Sequence, residues 1–475
     1  MDFKGLLGSR AAKAGIGYTV ANLLIKGISL ITLPIFSRVM SVEEMGLYSV
    51  WVSYDSIVFV GIGLALHSSV KSANQKFEGH IDEYISSVSF IYFIVAAAFA
   101  VIATIFNPWL DSVTGIGYVA WLLMLVASLS GAFTALYNSA VSLDYSYKDY
   151  MKVAATNSIG NVAVSLLLMF TVFSTDRYMA RIAGMALVSA IVIVMVLGRF
   201  WRAARPRYNK EYWSFGIRYS LPIVPHGISQ VLLSSADRVM INSINGAVAA
   251  GVYGLAGYIL QGFSVIVNSM DPVWSTWFYE RMKESGDVAR ARIRSRAVTL
   301  SLGYAALAIG IVALSPEIVF VLGGEKYAEA AYVAPLIAAS GYLILVYNLI
   351  CTGEYWAAKT GYIAAGTMGA AVINIVLNVF LLPVFGFVAA GWTTTVSYLA
   401  YVIFHMAICR KCIGFYILSP WVFLAESVLI SVATTLALVA SNALLIRIVV
   451  CTICLGGLLV IMRVAKYAMN ATVEE

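Results

Sequence analysis

The chain has 475 residues, of which 61% are hydrophobic and only 12% charged, with a net charge of +7. A water-soluble domain carries about 25% charged residues, so this composition excludes a soluble enzyme, a disordered chain and a nucleic-acid binder that works through a basic surface. With a mean hydropathy of +0.86 and roughly 20 apolar residues needed per bilayer-crossing helix, the chain reads as an all-α integral membrane protein with about 14 transmembrane helices.

Lys4, Arg10 and Lys13 precede an apolar run from Ile16 to Phe36. That run is too long for the core of a signal peptide and no small-residue cleavage site follows it, so it reads as the first span. Apolar runs between polar breaks place the spans at 14–37, 45–67, 84–106, 118–142, 153–173, 179–199, 215–242, 247–272, 297–322, 332–356, 361–382, 386–408, 420–440 and 444–464. With the N-terminus inside, about 23 Lys and Arg fall on the inner side and about six on the outer, the bias that topology demands. Both termini are then cytoplasmic. The two largest basic stretches, Arg199 to Lys210 and Arg281 to Arg296, lie on the inner side and read as solvated topology determinants that also touch anionic lipid.

The five cysteines lie at 351, 409, 412, 451 and 454. Cys451 and Cys454 sit inside an apolar run, and Cys409 and Cys412 flank Arg410 and Lys411 at a helix end. They read as apolar packing rather than metal or redox groups, and neither metal nor cofactor is expected.

The chain repeats itself. Arg38-Val39-Met40 followed by Gly46-Leu47-Tyr48 matches Arg238-Val239-Met240 followed by Gly251-Val252-Tyr253. Tyr118-Val119-Ala120 matches Tyr332-Val333-Ala334, and Tyr137-Asn138 with Asp144-Tyr145 matches Tyr347-Asn348 with Glu354-Tyr355. Asn157 and Asn161 match Asn374 and Asn378 at the same spacing of four. Matches that keep their order at a near-constant offset mark an internal repeat. Residues 1–200 and 211–410 are accordingly expected as two six-helix halves of the same orientation, with 411–475 adding two helices and a short tail. Parallel repeats of this type belong to transporters whose halves rock about a central cavity.

The layout, the stretch LP-x-x-SRVMS-x-EE-x-G-x-Y from Leu33 to Tyr48, and Ser235-Ala236-Asp237-Arg238 resemble the bacterial polysaccharide flippases. These form the polysaccharide transporter branch of the multidrug/oligosaccharidyl-lipid/polysaccharide superfamily, whose members flip O-antigen and exopolysaccharide repeat units. The resemblance implies movement of an undecaprenyl-diphosphate-linked oligosaccharide from the cytoplasmic to the outer leaflet of the bacterial inner membrane. Membrane lipids, and polysaccharide assembly proteins, are the implied partners, and a monomer is expected.

Such a headgroup needs cations for its phosphates and hydrogen-bonding groups for its sugars. A charge at mid-bilayer costs roughly 2.5–3.5 kcal/mol or more, so each one should face a cavity or a partner. Lys26 lies roughly 15 Å into the first span by the helical rise and is expected to contact the diphosphate; the alternative is a structural pair with Asp55. His226 falls at the equivalent place in the seventh span, facing the cavity or making an interhelical hydrogen bond. Arg218 either meets phosphate entering from the cytoplasm or snorkels to the headgroups. Pro34, Pro222 and Pro225 mark hinges, because proline removes a helical hydrogen bond and bends the helix. Arg38, Asp237 and Arg238 are expected to form an outer gate in which Asp237 pairs with Arg38. Asp55, Asp271 and Glu354 are the candidates for a coupling ion, proton or sodium. Asn161 and Asn378, with Asn157 and Asn374, either bind sugar or glue helices together.

The competing reading is an ion-coupled exporter of drugs or organic cations from the same superfamily, but a cation site calls for carboxylates rather than a lysine at mid-depth. An enzyme acting on the same lipid carrier is disfavoured, because the outer loops are short and carry few catalytic candidates.

Overall fold

The computed structural model describes residues 27–28, 31–144, 146–284 and 286–474, and regular structure among them is helical throughout. In chain order the helices are α1 (31–39), α2 (Val42–Gly63), α3 (Val70–Lys76), α4 (Ile81–Ile105), α5 (Asn107–Thr114), α6 (Tyr118–Leu143), α7 (Tyr147–Thr171), α8 (Arg177–Ala203) and α9 (Lys210–Ser220). They continue as α10 (Val224–Asn245), α11 (Ala247–Met282), α12 (Asp287–Ala313), α13 (Ser315–Gly323), α14 (Ala334–Trp356), α15 (Thr360–Phe385), α16 (Val388–Ile413), α17 (Pro420–Val439) and α18 (Leu444–Glu474). Among the described residues, twelve helices are long and apolar enough to cross a membrane. The chain is a multi-pass membrane protein. Much of the expected first span, Lys26 included, lies outside the described residues. The expected seventh span is divided: a 3-10 turn, Leu221–Ile223, separates α9 from α10, with Pro222 in that turn and Pro225 in the first turn of α10. Both prolines fall where a missing N–H and a fixed φ are tolerated, so the helix type changes without a loop. Pro34 lies within α1.

The resembling stretch has a structural explanation at the start of α2. Ser41 and Glu44 form a reciprocal capping box: the Glu44 N–H donates to Ser41 Oγ at 3.0 Å, and the Ser41 N–H donates to Glu44 Oε2 at 2.7 Å. This satisfies two of the N–H groups that every helix start leaves without a partner. The other oxygen of Glu44 accepts from the Arg177 N–H at 2.7 Å, and the Arg177 guanidinium donates to the Val39 carbonyl. One acidic residue thereby ties the ends of α1, α2 and α8 together. Gly46 follows because no side chain fits: a β-carbon there would run into the carbonyl of Ala247, and one on Gly251 into that of Val42. The matched glycines of the repeat therefore meet at a close crossing of α2 with the start of α11.

The chain falls into two compact units, Met1–Gly251 and Val252–Glu475. In the first, α6 packs on α2, α4 and α8, α7 packs on α8, and α10 lies along α2. The second is built around α14, most of whose residues are buried between α12, α16 and α17. Helices α17 and α18 dock on α12 through polar anchors. Glu426 accepts from Tyr342 Oη at 2.6 Å and Ser301 Oγ at 2.9 Å. Arg447 clamps Glu317 at 2.7 and 2.5 Å and donates to the Ala313 carbonyl at 2.7 Å. Glu426 and Arg447 are both buried, and a buried charge persists only with such partners.

Candidate functional site

In the first unit, α1, α2, α7 and α8 enclose a cavity of about 240 Å³. Among the described residues its wall carries one cation, Arg181, and two amides, Asn157 and Asn161, with Phe36 and Tyr48 beside them. The Arg181 guanidinium lies between two rings, with Cζ 4.0 Å from the Phe36 centroid and 3.8 Å from that of Tyr48. Its Nη1 faces the sulfur of Met45 at 3.4 Å and that of Met40 at 4.0 Å. Among the described residues no carboxylate lies within 4.0 Å of it. This guanidinium is 9% exposed and is held by ring faces, and a guanidinium carries five N–H donors in a planar fork suited to an anion. The amides come to the same wall because α7 and α8 approach closely. Gly184 has no side chain to hold them apart from Ser165, whose hydroxyl lies 3.2 Å from both Asn161 Oδ1 and the Arg181 carbonyl.

Arg181 was not among the sequence candidates. A legible signal was present: Arg181, Gly184, Val188 and Val192 recur at helical spacing, and all four are buried, so the arginine sits on the face that packs inward.

The other candidates of the first unit are spread out. Asp55 is half-buried, and Ser128 donates to its Oδ1 at 2.5 Å. His226 is half-buried, and its Nδ1 is without a hydrogen-bond partner among the described residues. Arg218 is exposed near the end of α9. Arg38 is exposed and donates to the Pro34 carbonyl at 3.1 Å, Asp237 is buried in α10, and Arg238 is half-buried beside it.

In the second unit, Asn378 is fully buried: its amide donates to Asn374 Oδ1 at 3.2 Å, and its carbonyl accepts from Thr393 at 2.6 Å. Asn374 in turn reaches Thr394 at 3.5 Å. This ladder joins α15 to α16. Asp271 is exposed on α11, next to Pro272. Glu354 is fully buried and meets His405 Nδ1 at 2.6 Å. His405, absent from the sequence candidates, shares a buried face with Tyr398, Tyr401, Val402 and Cys409, again at helical spacing.

Comparison with known proteins agrees with this architecture. The model of the family described as "polysaccharide biosynthesis protein" matches residues 11–275. The probable low-salt glycan biosynthesis flippase Agl15 of Haloferax volcanii is 21% identical over 405 residues, covering 83% of this chain and 82% of that protein. Among solved structures, the lipid II flippase MurJ in an inward closed conformation superposes with a TM-score of 0.71 at 11% identity, over 97% of this chain and 100% of that one. An inward-facing multidrug resistance MATE family transporter gives 0.62 at 12% identity, over 84% of this chain and 94% of that one. At such identities the two structures speak for a shared fold alone.

Proposed function

Since the chain belongs to the polysaccharide biosynthesis protein family, we propose that it is a flippase moving an undecaprenyl-diphosphate-linked oligosaccharide from the cytoplasmic to the outer leaflet of the bacterial inner membrane. It does so by alternating access, with both termini in the cytoplasm, and without making or breaking a bond of its substrate. The six-helix repeats 1–200 and 211–410 are the moving halves, and 411–475 is an accessory pair of helices. The observation that carries this reading is Arg181: a cation without a carboxylate neighbour among the described residues, on the wall of a cavity that two amides share. A guanidinium matches phosphate with parallel N–H···O bonds, and amides offer both donors and acceptors to sugar hydroxyls. An exporter of organic cations, whose multidrug relatives share the fold, would need a carboxylate where this chain has arginine.

In this reading Lys26 and Arg181 hold the diphosphate, with Arg218 and His226 along the entry path, and Asn157 and Asn161 meet the first sugars. Arg38, Asp237 and Arg238 close the outer side, the breaks at Pro34, Pro222 and Pro225 act as hinges, and Asp55 or Asp271 binds the coupling ion. The test is to delete the gene and identify the lipid-linked glycan left on the inner leaflet. Wild-type chain should clear it, while Lys26→Ala and Arg181→Ala should not at equal membrane abundance. A deletion strain with no such accumulation overturns the proposal.

A further inference from the structure

The Glu354–His405 pair leaves a chemical account open. Both residues are fully buried, and each has one polar atom, Glu354 Oε2 and His405 Nε2, without a hydrogen-bond partner among the described residues. The contact between Oε1 and Nδ1 leaves Glu354 Oε2 and His405 Nε2 as the atoms still to be accounted for. A buried polar atom without a hydrogen-bond partner is costly in an apolar interior.

The third group at this place is a thiol. Cys351 lies one helical turn before Glu354 on α14, and one ligand atom from each of Cys351, Glu354 and His405 falls within 4.8 Å of the others. Among the described residues the sulfur donates one hydrogen bond, to Tyr347 Oη at 3.5 Å. The imidazole is fixed in orientation. Tyr347 and Tyr401 stack with centroids 4.2 Å apart and flank its ring at 5.0 and 4.6 Å. Its Nε2 edge is pressed against Gly366, where a β-carbon would stand 2.5 Å away. Only Nδ1 is left to face the carboxylate and the thiol.

We propose that Cys351, Glu354 and His405 bind a thiophilic divalent cation, with Zn2+ the best fit. Thiolate, carboxylate and imidazole are the three ligand types zinc takes, at about 2.0–2.3 Å each. Their charges also balance. Zn2+ with one thiolate, one carboxylate and one neutral imidazole sums to zero, so the low-dielectric interior holds no net charge. Binding displaces two protons, one from the thiol and one from between Glu354 and His405, as zinc takes their place. Sodium and calcium, which choose oxygen ligands, do not match a thiol and an imidazole. The inference does not depend on the flippase reading, because it concerns a cation held inside one unit.

The experiment uses the purified full chain, exposed to Zn2+, desalted and assayed by elemental mass spectrometry. Wild type should retain ~1 zinc per chain, and Cys351→Ser and His405→Gln about tenfold less. A Cys451→Ser/Cys454→Ser double variant, altered elsewhere in the same unit, should retain as much as wild type. Cobalt in place of zinc should give a thiolate-to-metal absorption band in wild type that Cys351→Ser lacks. That spectrum decides the matter even where a variant fails to fold. Wild type that holds no more zinc than Cys351→Ser, or shows no thiolate band with cobalt, overturns the proposal and leaves a closed hydrogen-bonded pair.

Discussion

Asn157 and Asn161 in the first unit and Asn374 and Asn378 in the second occupy matching places in the repeat, yet their surroundings differ. The first pair is half-buried and lines a cavity with Arg181. The second is fully buried in a ladder with Thr393 and Thr394. A second matched pair diverges in the same way. Asp144 caps α6 one residue past its end and is exposed, whereas α14 continues two residues beyond Glu354, which is fully buried against His405. Three residues of extra helix turn a solvated end charge into an interior group. A repeat thus transmits positions, while the partners across the helix interface decide whether a polar residue adheres, binds or caps.

The sharpest way to break this comparison is through the arginine. Arg181→Ala should lower glycan export by about tenfold to hundredfold, the worth of roughly 1.5–3 kcal/mol for hydrogen bonds to a charged group. The readout is lipid-linked glycan remaining on the inner leaflet at equal protein level. Export unchanged in this variant would remove the first unit's cavity from the substrate path. The next effect is one of stability. Asn378→Ala removes the amide that joins Thr393 to Asn374 and should cost about 1–2 kcal/mol, seen in thermal unfolding of the purified protein. Asn161→Ala, at the matched position, should stay within about 0.5 kcal/mol while impairing export. If both variants unfold alike and export alike, the two pairs do not differ in role.

Smaller again is Ser41→Ala, which removes one arm of the capping box and should cost about 1 kcal/mol by the same unfolding measurement. It loosens the corner through which Glu44 holds the start of α8, and so should disturb the first unit only. The smallest effect belongs to the anchor of the second unit. Hydrogen bonds from Arg447 hold the Glu317 carboxyl below the usual carboxylate range. A carboxyl depressed in the docked state stabilises docking above its free value, and that contribution disappears as pH falls through the depressed value. Proteolysis in the 414–419 and 440–443 connections should therefore rise in acid, below about pH 4.3, the free glutamate value, and be insensitive to pH in Glu317→Gln. Because the Glu317 side chain is 41% exposed, solvent screens the pair and the change should be modest.

Much of the architecture was readable beforehand. Long apolar runs force helices, since a bilayer offers no partner for an unsatisfied backbone group, and the spans expected at 84–106, 118–142 and 361–382 coincide closely with α4, α6 and α15. The seventh span was readable as a bent helix from Pro222 and Pro225, though not as two helices joined by a 3-10 turn. The resembling stretch pointed to a relationship but not to its physical content, because the bond from Glu44 to Arg177 joins residues 133 apart in sequence. Arg181 and His405 were not among the candidates because their surroundings are supplied by helices distant in sequence, although each shares a buried face with neighbours three and four residues away.

Composition and period determined by themselves that this is a helical, multi-pass membrane protein. Each of those properties follows from solvent and chain geometry acting locally. Which arginine would stand between two rings, which asparagines would be sealed in a ladder, and which glutamate would meet a histidine and a cysteine were decided only by packing between helices distant in the chain. A charge or amide in the membrane interior is tolerated according to its three-dimensional partners, and these are brought together by the fold.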